Sequence, residues 1–353
     1  MGRLAAVEVR RYDTRTADRW TLALHRYRLP GEPPARRAPV LLCHGLGSNR
    51  FSFDPPDGPS LARFLAERGF DVWSLDLRGA GASAKPHIFN TLRYEWSFRH
   101  YVELDAPAGL AFVQSATGAS QVHWVGHSLG GMIAYALMVE GAGRGQPPPF
   151  ASVTAMASPT VLACAPPEIP GARMVQALLT RIERTPLGLS ARLGAPLTGL
   201  AYRLAVFRIL YNPDNMEPSV VRRLLPHALD DVPARLLLDY LTAYQARRDG
   251  REHEVFAYES SLERITSPLL VMGGAVDGLC PVAALRAVYE RASSEHKRLL
   301  VLSRENGCAH DYGHHDILFG RNVEREVYWP ILRWLDERDP SPEGGLTPPR
   351  ARP

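Results

Sequence analysis

Lysine is scarce in this chain: Lys85 and Lys297 are the only two among 353 residues. Arginine supplies the remaining positive charge, with 41 Lys and Arg against 37 Asp and Glu, and no run of five or more basic residues occurs. The formal charge of +4 is spread through helical patterns beside nearby acids, so no nucleic-acid partner is expected. Cysteine is sparse as well. Cys43, Cys164, Cys280 and Cys308 lack paired metal spacing and are too few for a disulfide scaffold of this length. Buried or free thiols are the expectation, although a Cys280–Cys308 bridge is open if the loops that carry them meet. Long apolar runs are missing too. Residues 1–11 hold no apolar stretch of secretory length, and no later run approaches the ~20 residues of a membrane span. A cytoplasmic protein without an integral membrane segment is the expectation. What is present, 45% hydrophobic and 22% charged residues, is ordinary for a globular chain. The length suits one enlarged domain, or a core that carries an insertion.

Short runs rich in Val, Leu and Trp alternate with amphipathic stretches, the pattern of a largely parallel sheet covered by helices. Buried strands are predicted at Pro39–Cys43, Asp71–Leu77, Val122–Val125, Val153–Met156, Leu269–Met272 and Arg298–Leu302. Val7–Tyr12 and Trp20–Tyr27 alternate polar with apolar residues and read as an antiparallel hairpin at the sheet edge. Helices are predicted at Ser60–Arg68, Tyr101–Ser115, Leu129–Val139, Val282–Ala292 and Val323–Glu337. Strand patterns lapse after Pro159 and return at Pro268. The chain therefore divides into a core over 1–160, a helical cap inserted over 161–266, a second part of the core over 267–338 and a Pro/Gly-rich tail over 339–353, for which disorder is expected. Cap helices are predicted at Ala172–Arg184, Leu197–Tyr211, Pro218–Leu229 and Ala234–Arg247. Met174, Leu178 and Ile182, and likewise Leu204, Phe207 and Leu210, recur at helical spacing and are read as core or as pocket lining.

Gly126-His127-Ser128-Leu129-Gly130 fits G-x-S-x-G directly after one predicted strand and before a helix, the context of a nucleophile elbow. A serine hydroxyl needs a base, and the base needs an orienting acid later in the chain. Asp277 follows the strand Leu269–Met272, at a carboxyl end of the sheet where catalytic side chains collect. Its other reading is a turn-forming or helix-capping aspartate before Pro281. For the base, one loop offers His310, His314 and His315. His314 is preferred because it follows Gly313 and precedes the apolar anchor Ile317-Leu318-Phe319, while His310 and His315 stay open as bases and His310 with His314 as a metal pair. Oxyanion donors are expected from the backbone N–H of Leu46, in the glycine-bearing loop His44-Gly45-Leu46-Gly47-Ser48, and of Leu129. His44 reads as a brace for that loop and His127 as packing beside the elbow.

HGLGS at 44–48, DLRGAGAS at 76–83, GHSLGG at 126–131, GAVD at 274–277 and GHHD at 313–316 together resemble the α/β-hydrolase superfamily. Trp96-Ser97-Phe98, Glu103 and Asp105-Ala106-Pro107-Ala108 are similar to its acid-lipase-like branch, which places the catalytic histidine in an HxD motif, matched here by His314 and Asp316. The likeness covers roughly 35–160 and 265–337, and Leu129 stands where the acid lipases carry Gln. It implies an α/β-hydrolase fold and a Ser128–His314–Asp277 serine hydrolase acting on carboxylic esters of hydrophobic substrates, with no cofactor or metal. Thioester or amide hydrolysis, acyl transfer, and a non-catalytic ligand-binding role on the same fold remain open.

Overall fold

The computed structural model describes residues 6–31, 38–160, 172–194, 208–251 and 253–339. An eight-stranded sheet forms its centre, in the order β1-β2-β4-β3-β5-β6-β9-β10. The strands are β1 (Glu8–Arg15), β2 (Thr21–Arg28), β3 (Val40–Cys43), β4 (Val72–Asp76), β5 (Val122–His127), β6 (Phe150–Met156), β9 (Leu269–Gly274) and β10 (Lys297–Leu302). The first two form the expected antiparallel edge hairpin, with Glu8 opposite Arg28, and β2 joins β4 antiparallel. From β4 through β10 every pairing is parallel. Parallel strands covered on both faces read as continuous apolar runs, and β3, β4, β5, β6 and β9 are buried along their whole length. The exposed, alternating β1 sits at the edge.

This order positions the chemistry. The chain runs from β3 to β4 on one side and then returns to place β5 on the other side of β3, so the winding reverses between β3 and β5. Loops leaving two neighbouring strands in opposite directions open a crevice at their carboxyl ends. The loop after β3 is His44–Ser48, and the residue after β5 is Ser128. The loops after β9 and β10, carrying Asp277 and the histidines, leave from the same edge because their strands point the same way.

The flanking helices are α1 (Leu61–Ala66), α2 (Ala106–Thr117), α3 (Leu129–Gly143), α8 (Val282–Arg291) and α9 (Trp329–Arg338), close to the predicted segments. Two of the predicted helices begin instead as single π-helical turns, Tyr101–Asp105 and Glu324–Tyr328, each running without a break into a regular helix whose second residue is a proline, Pro107 or Pro330, that has no N–H to give. α3 is buried almost all round, with no polar face. Beneath α2, two of the sequence motifs meet: the Arg78 guanidinium, buried, bonds Asp105 at 2.7 Å and Asp18 at 2.8 Å. Breaking a buried pair of this kind strands the other charge, which costs about 3–5 kcal/mol.

Over residues 161–266, for which the sequence leads to the expectation of a helical cap, the described helices are α4 (Ala172–Leu179), α5 (Leu187–Gly194), α6 (Pro218–Ala228) and α7 (Ala234–Arg248). The predicted helix Ala172–Arg184 stops early, and Arg184–Thr185 (β7) pairs antiparallel with Val232–Pro233 (β8), a short strand pair where none was expected. The sequence gives no strand periodicity over two residues, so such a pair is invisible to pattern. A further helical stretch at Glu254–Arg264, kinked at Phe256 and Ser261, was also not predicted. Met174 and Leu178 lie on α4 but Ile182 falls beyond its end at Leu179, and all three are exposed, at 74%, 58% and 37%, so they are not core. Spacing identifies a face without saying which way it looks. Of the second row, Leu210 packs on the core, while Leu204 and Phe207, most of the predicted helix Leu197–Tyr211 and the tail from 340 lie outside the described residues. Cys280 is buried, Cys308 is half-buried, and no disulfide joins them. Among the described residues no helix is long and apolar enough to cross a membrane.

Candidate active site

Ser128 sits between β5 and α3 with φ 52° and ψ −116°. A non-glycine residue at positive φ is strained by about 1–3 kcal/mol and persists only where the surroundings hold it. Here the Ser128 N–H bonds the Met156 carbonyl at 2.8 Å, and its own carbonyl accepts from Gly131 at 3.0 Å. The flanking glycines follow from the tight turn. A side-chain carbon on Gly126 would run into the backbone of Gly130, and one on Gly130 into the carbonyl of Cys43 at the end of β3. The elbow is therefore pressed against the neighbouring loop. A side-chain carbon added to Gly45 would lie only 3.2 Å from that of Ser128, which puts the loop carrying Leu46 directly beside the serine.

His44 holds that loop. Its Nδ1–H donates to the Gly45 carbonyl at 2.8 Å, and its Nε2 accepts the Leu77 N–H at 3.1 Å. One ring nitrogen donating and the other accepting defines a neutral tautomer, and burial pushes its pKa down in the same sense. The bracing role read from sequence agrees with this geometry.

Asp277 and His314 meet after a separation of 37 residues. The Nδ1–H of His314 faces both carboxylate oxygens of Asp277, at 2.9 and 3.1 Å, and both residues are buried. Oδ1 of Asp277 also accepts the N–H groups of Leu279 and Cys280 at 2.8 and 2.7 Å. The carboxylate therefore organises the turn before Pro281 and, fixed by it, faces the imidazole.

The three histidines of the loop separate clearly. His310 is half-buried at the start of the loop. His315 packs its ring 5.1 Å from that of His314, and burial lowers its pKa to about 3. Of these three, His314 is the one that meets a carboxylate. Its ring also lies 4.9 Å from that of His127, next in the chain to Ser128, and the His127 Nε2–H donates to the His314 carbonyl at 3.0 Å. Burial holds His127 well below its usual pKa, so it is a neutral donor. Among the described residues no cluster of three or more His, Cys, Asp or Glu side chains is arranged for a metal.

Sequence reasoning missed the polar stitching that carries the histidine loop on the cap. Asp316 is fully buried. Its Oδ1 accepts the Gly313 and Asn212 N–H groups at 2.8 and 3.2 Å, and its Oδ2 accepts the Asn215 amide at 2.8 Å. The His315 N–H bonds the Leu210 carbonyl at 2.8 Å, and the Asn212 amide bonds the Asp311 carbonyl at 2.7 Å. Asn212-Pro213 reads in sequence only as a helix breaker. Nothing in its spacing points to a residue a hundred positions away.

A profile of the family described as alpha/beta hydrolase fold matches residues 38–310, and the chain belongs to that family. Over shorter stretches it is similar to a tear acid lipase-like protein from Mesocricetus auratus, at 36% identity over 132 residues, 35% of this chain and 33% of that protein. It is likewise similar to triacylglycerol lipase 2 from Arabidopsis thaliana, at 34% identity over 110 residues, 30% of this chain and 26% of that one. These matches span a third or less of the relatives' length. Among solved structures, an esterase from Thermogutta terrifontis, malate bound, superposes with a TM-score of 0.57 at 20% identity, covering 93% of this chain and 99% of that one. A 2-hydroxy-6-oxo-6-phenylhexa-2,4-dienoate hydrolase from Rhodococcus sp. strain RHA1 gives 0.59 at 20% identity, covering 94% and 99%. At that identity the likeness is one of fold.

Proposed function

We propose that the protein is a serine hydrolase that cleaves carboxylic esters of hydrophobic substrates through Ser128, His314 and Asp277. The observation that carries this reading is the strained Ser128 at the reversal of the sheet, with a buried Asp277–His314 pair on the same edge. Because Nδ1 of His314 is engaged by Asp277, Nε2 is the nitrogen left to take the serine proton. Oγ of Ser128 attacks the ester carbonyl, and the imidazolium that forms is stabilised by Asp277. The backbone N–H groups of Leu46 and Leu129 receive the charge that develops on the carbonyl oxygen. His314 then returns the proton to the departing alcohol, and water cleaves the acyl-enzyme by the same route. No step calls for a cofactor.

A hydrophobic ester is supported by the acid lipase and triacylglycerol lipase named among the relatives. The test is labelling by a fluorophosphonate together with turnover of aryl esters of graded acyl length, with thioester and amide counterparts. Wild type should label at Ser128 and hydrolyse esters fastest, and Ser128→Ala should lose both, with kcat/KM down at least about a thousandfold. Full ester hydrolysis by a pure, folded Ser128→Ala sample would overturn the mechanism. An unlabelled wild type that binds esters without turnover would make the protein a ligand carrier on this fold.

A further inference from the structure

A hollow of about 440 Å³ opens at the seam between core and cap, and neither Ser128, Asp277 nor His314 lines it. Its walls bring together Arg11 from β1, Arg50 from the turn after the His44–Ser48 loop, Lys85 from the loop after β4, and Arg192, His227 and Asp230 from the cap. Four permanent cations and one carboxylate line the hollow, with the buried Asp76 behind its wall on His25 and the Arg50 and Ala82 N–H groups, and the lining carboxylate is already occupied. Oδ1 of Asp230 takes Lys85 at 2.5 Å, while its Oδ2 takes the Gly81 N–H at 2.7 Å and the Asn49 amide at 2.9 Å.

The arginines are less well matched. Arg192 reaches the Pro226 carbonyl at 3.4 Å and, among the described residues, pairs with no carboxylate. Arg50 lies over the Phe51 ring, 3.4 Å from the Tyr27 hydroxyl and 3.5 Å from Asp54, a carboxylate that Arg63 already binds at 2.8 Å. Arg11 is paired with Asp13 at 2.9 Å where both are exposed, an arrangement that contributes little. Like charges converging from four separate segments on one concave wall repel each other and focus a positive field into the hollow. The surplus suits a dianion better than a single carboxylate, and planar guanidinium forks match phosphate oxygens.

We propose that this hollow is a binding site for a phosphate monoester, held chiefly by Arg50 and Arg192 with Lys85 and Arg11 at its margin. The ligand bridges core and cap, since Arg50 belongs to one and Arg192 to the other. It also lies close to the ester site without entering it: the N–H of Asp230 bonds the Gly47 carbonyl at 2.8 Å, in the loop that carries Leu46. This reading stands independently of the hydrolase proposal, because it is tested by binding and not by turnover.

The experiment titrates the full chain with phenyl phosphate by calorimetry and, in a second arm, with vesicles of phosphatidylcholine with and without phosphatidic acid. Arg192→Ser and the double variant Arg11→Ser/Arg192→Ser carry exposed changes that should leave hydrolysis of a neutral aryl ester as in wild type. Saturable binding of phenyl phosphate by wild type, weakened at least about tenfold in both variants, is the expected result. Binding confined to phosphatidic acid vesicles, with the same dependence on Arg192, would also support the site and identify a lipid headgroup as the source. No saturable binding in either arm, or binding that both variants leave intact, would overturn the proposal.

Discussion

The imidazole of His127 donates its Nε2–H to the backbone carbonyl of His314 across 3.0 Å. The residue before the elbow serine thereby holds the main chain of the proposed base, and the two rings pack 4.9 Å apart. Two loops from strands that are not neighbours are fixed to each other where the proposed mechanism passes a proton between them.

His127 should therefore act on turnover through position. His127→Leu removes the donor and leaves the His314 carbonyl buried without it, so kcat should fall by about 10- to 100-fold with KM little changed, as a small misplacement of a catalytic group does. His127→Gln, whose amide reaches the same carbonyl, should recover much of that loss. Equal kcat for Leu, Gln and wild type would show that the bond has no bearing on the reaction.

The histidine loop gives a sharper contrast. His314→Ala should match Ser128→Ala in its loss of kcat/KM, whereas His310→Ala should stay within about tenfold of wild type. His315→Ala should fall between them, because its ring packs on His314 without meeting Asp277. Steady-state kinetics on one aryl ester decides the matter, and an inactive His310→Ala would move the base to that residue.

Asp277→Asn preserves shape and turns an amide toward Nδ1 of His314. The imidazole is then drawn to the wrong tautomer, and kcat should drop by about 10⁴ with the fold intact. The amide oxygen can still accept the Leu279 and Cys280 N–H groups, so the thermal midpoint should move little. A variant that keeps more than about a tenth of wild-type kcat would remove Asp277 from the mechanism.

Asp316 makes a prediction about pH. Burial lifts its carboxyl to about 6, against the opposing pull of the Gly313 N–H and the Asn215 amide. An acid whose pKa is higher folded than unfolded holds its proton more tightly in the folded state. The stability it contributes is full below about pH 4 and is lost as pH rises through about 6. The unfolding free energy of wild type minus that of Asp316→Asn, measured in urea, should fall by about 2 kcal/mol between pH 4 and pH 7. A difference that stays constant across that window would show that the carboxyl is not raised.

Periodicity alone identified the parallel strands, the edge hairpin and most of the core helices, because a strand buried on both faces must be apolar throughout and a surface helix must alternate. The serine was legible too, since only glycines fit at 126 and 130 when the elbow packs on its neighbours, and that requirement is written locally. The sequence could name Asp277 and prefer His314 of three histidines on its place before Ile317-Leu318-Phe319, but it could not show which ring meets the carboxylate. That pairing belongs to the tertiary structure, where His314 alone of the three meets the carboxylate and the sheet order brings the ends of β5, β9 and β10 to one edge. The same holds for the seam of core and cap. Asn212, Asn215 and Asp316 bond across a hundred residues, and Arg11, Arg50, Lys85 and Arg192 converge from four segments. Polar contacts of that kind depend on direction and distance in space, and carry no period along the chain.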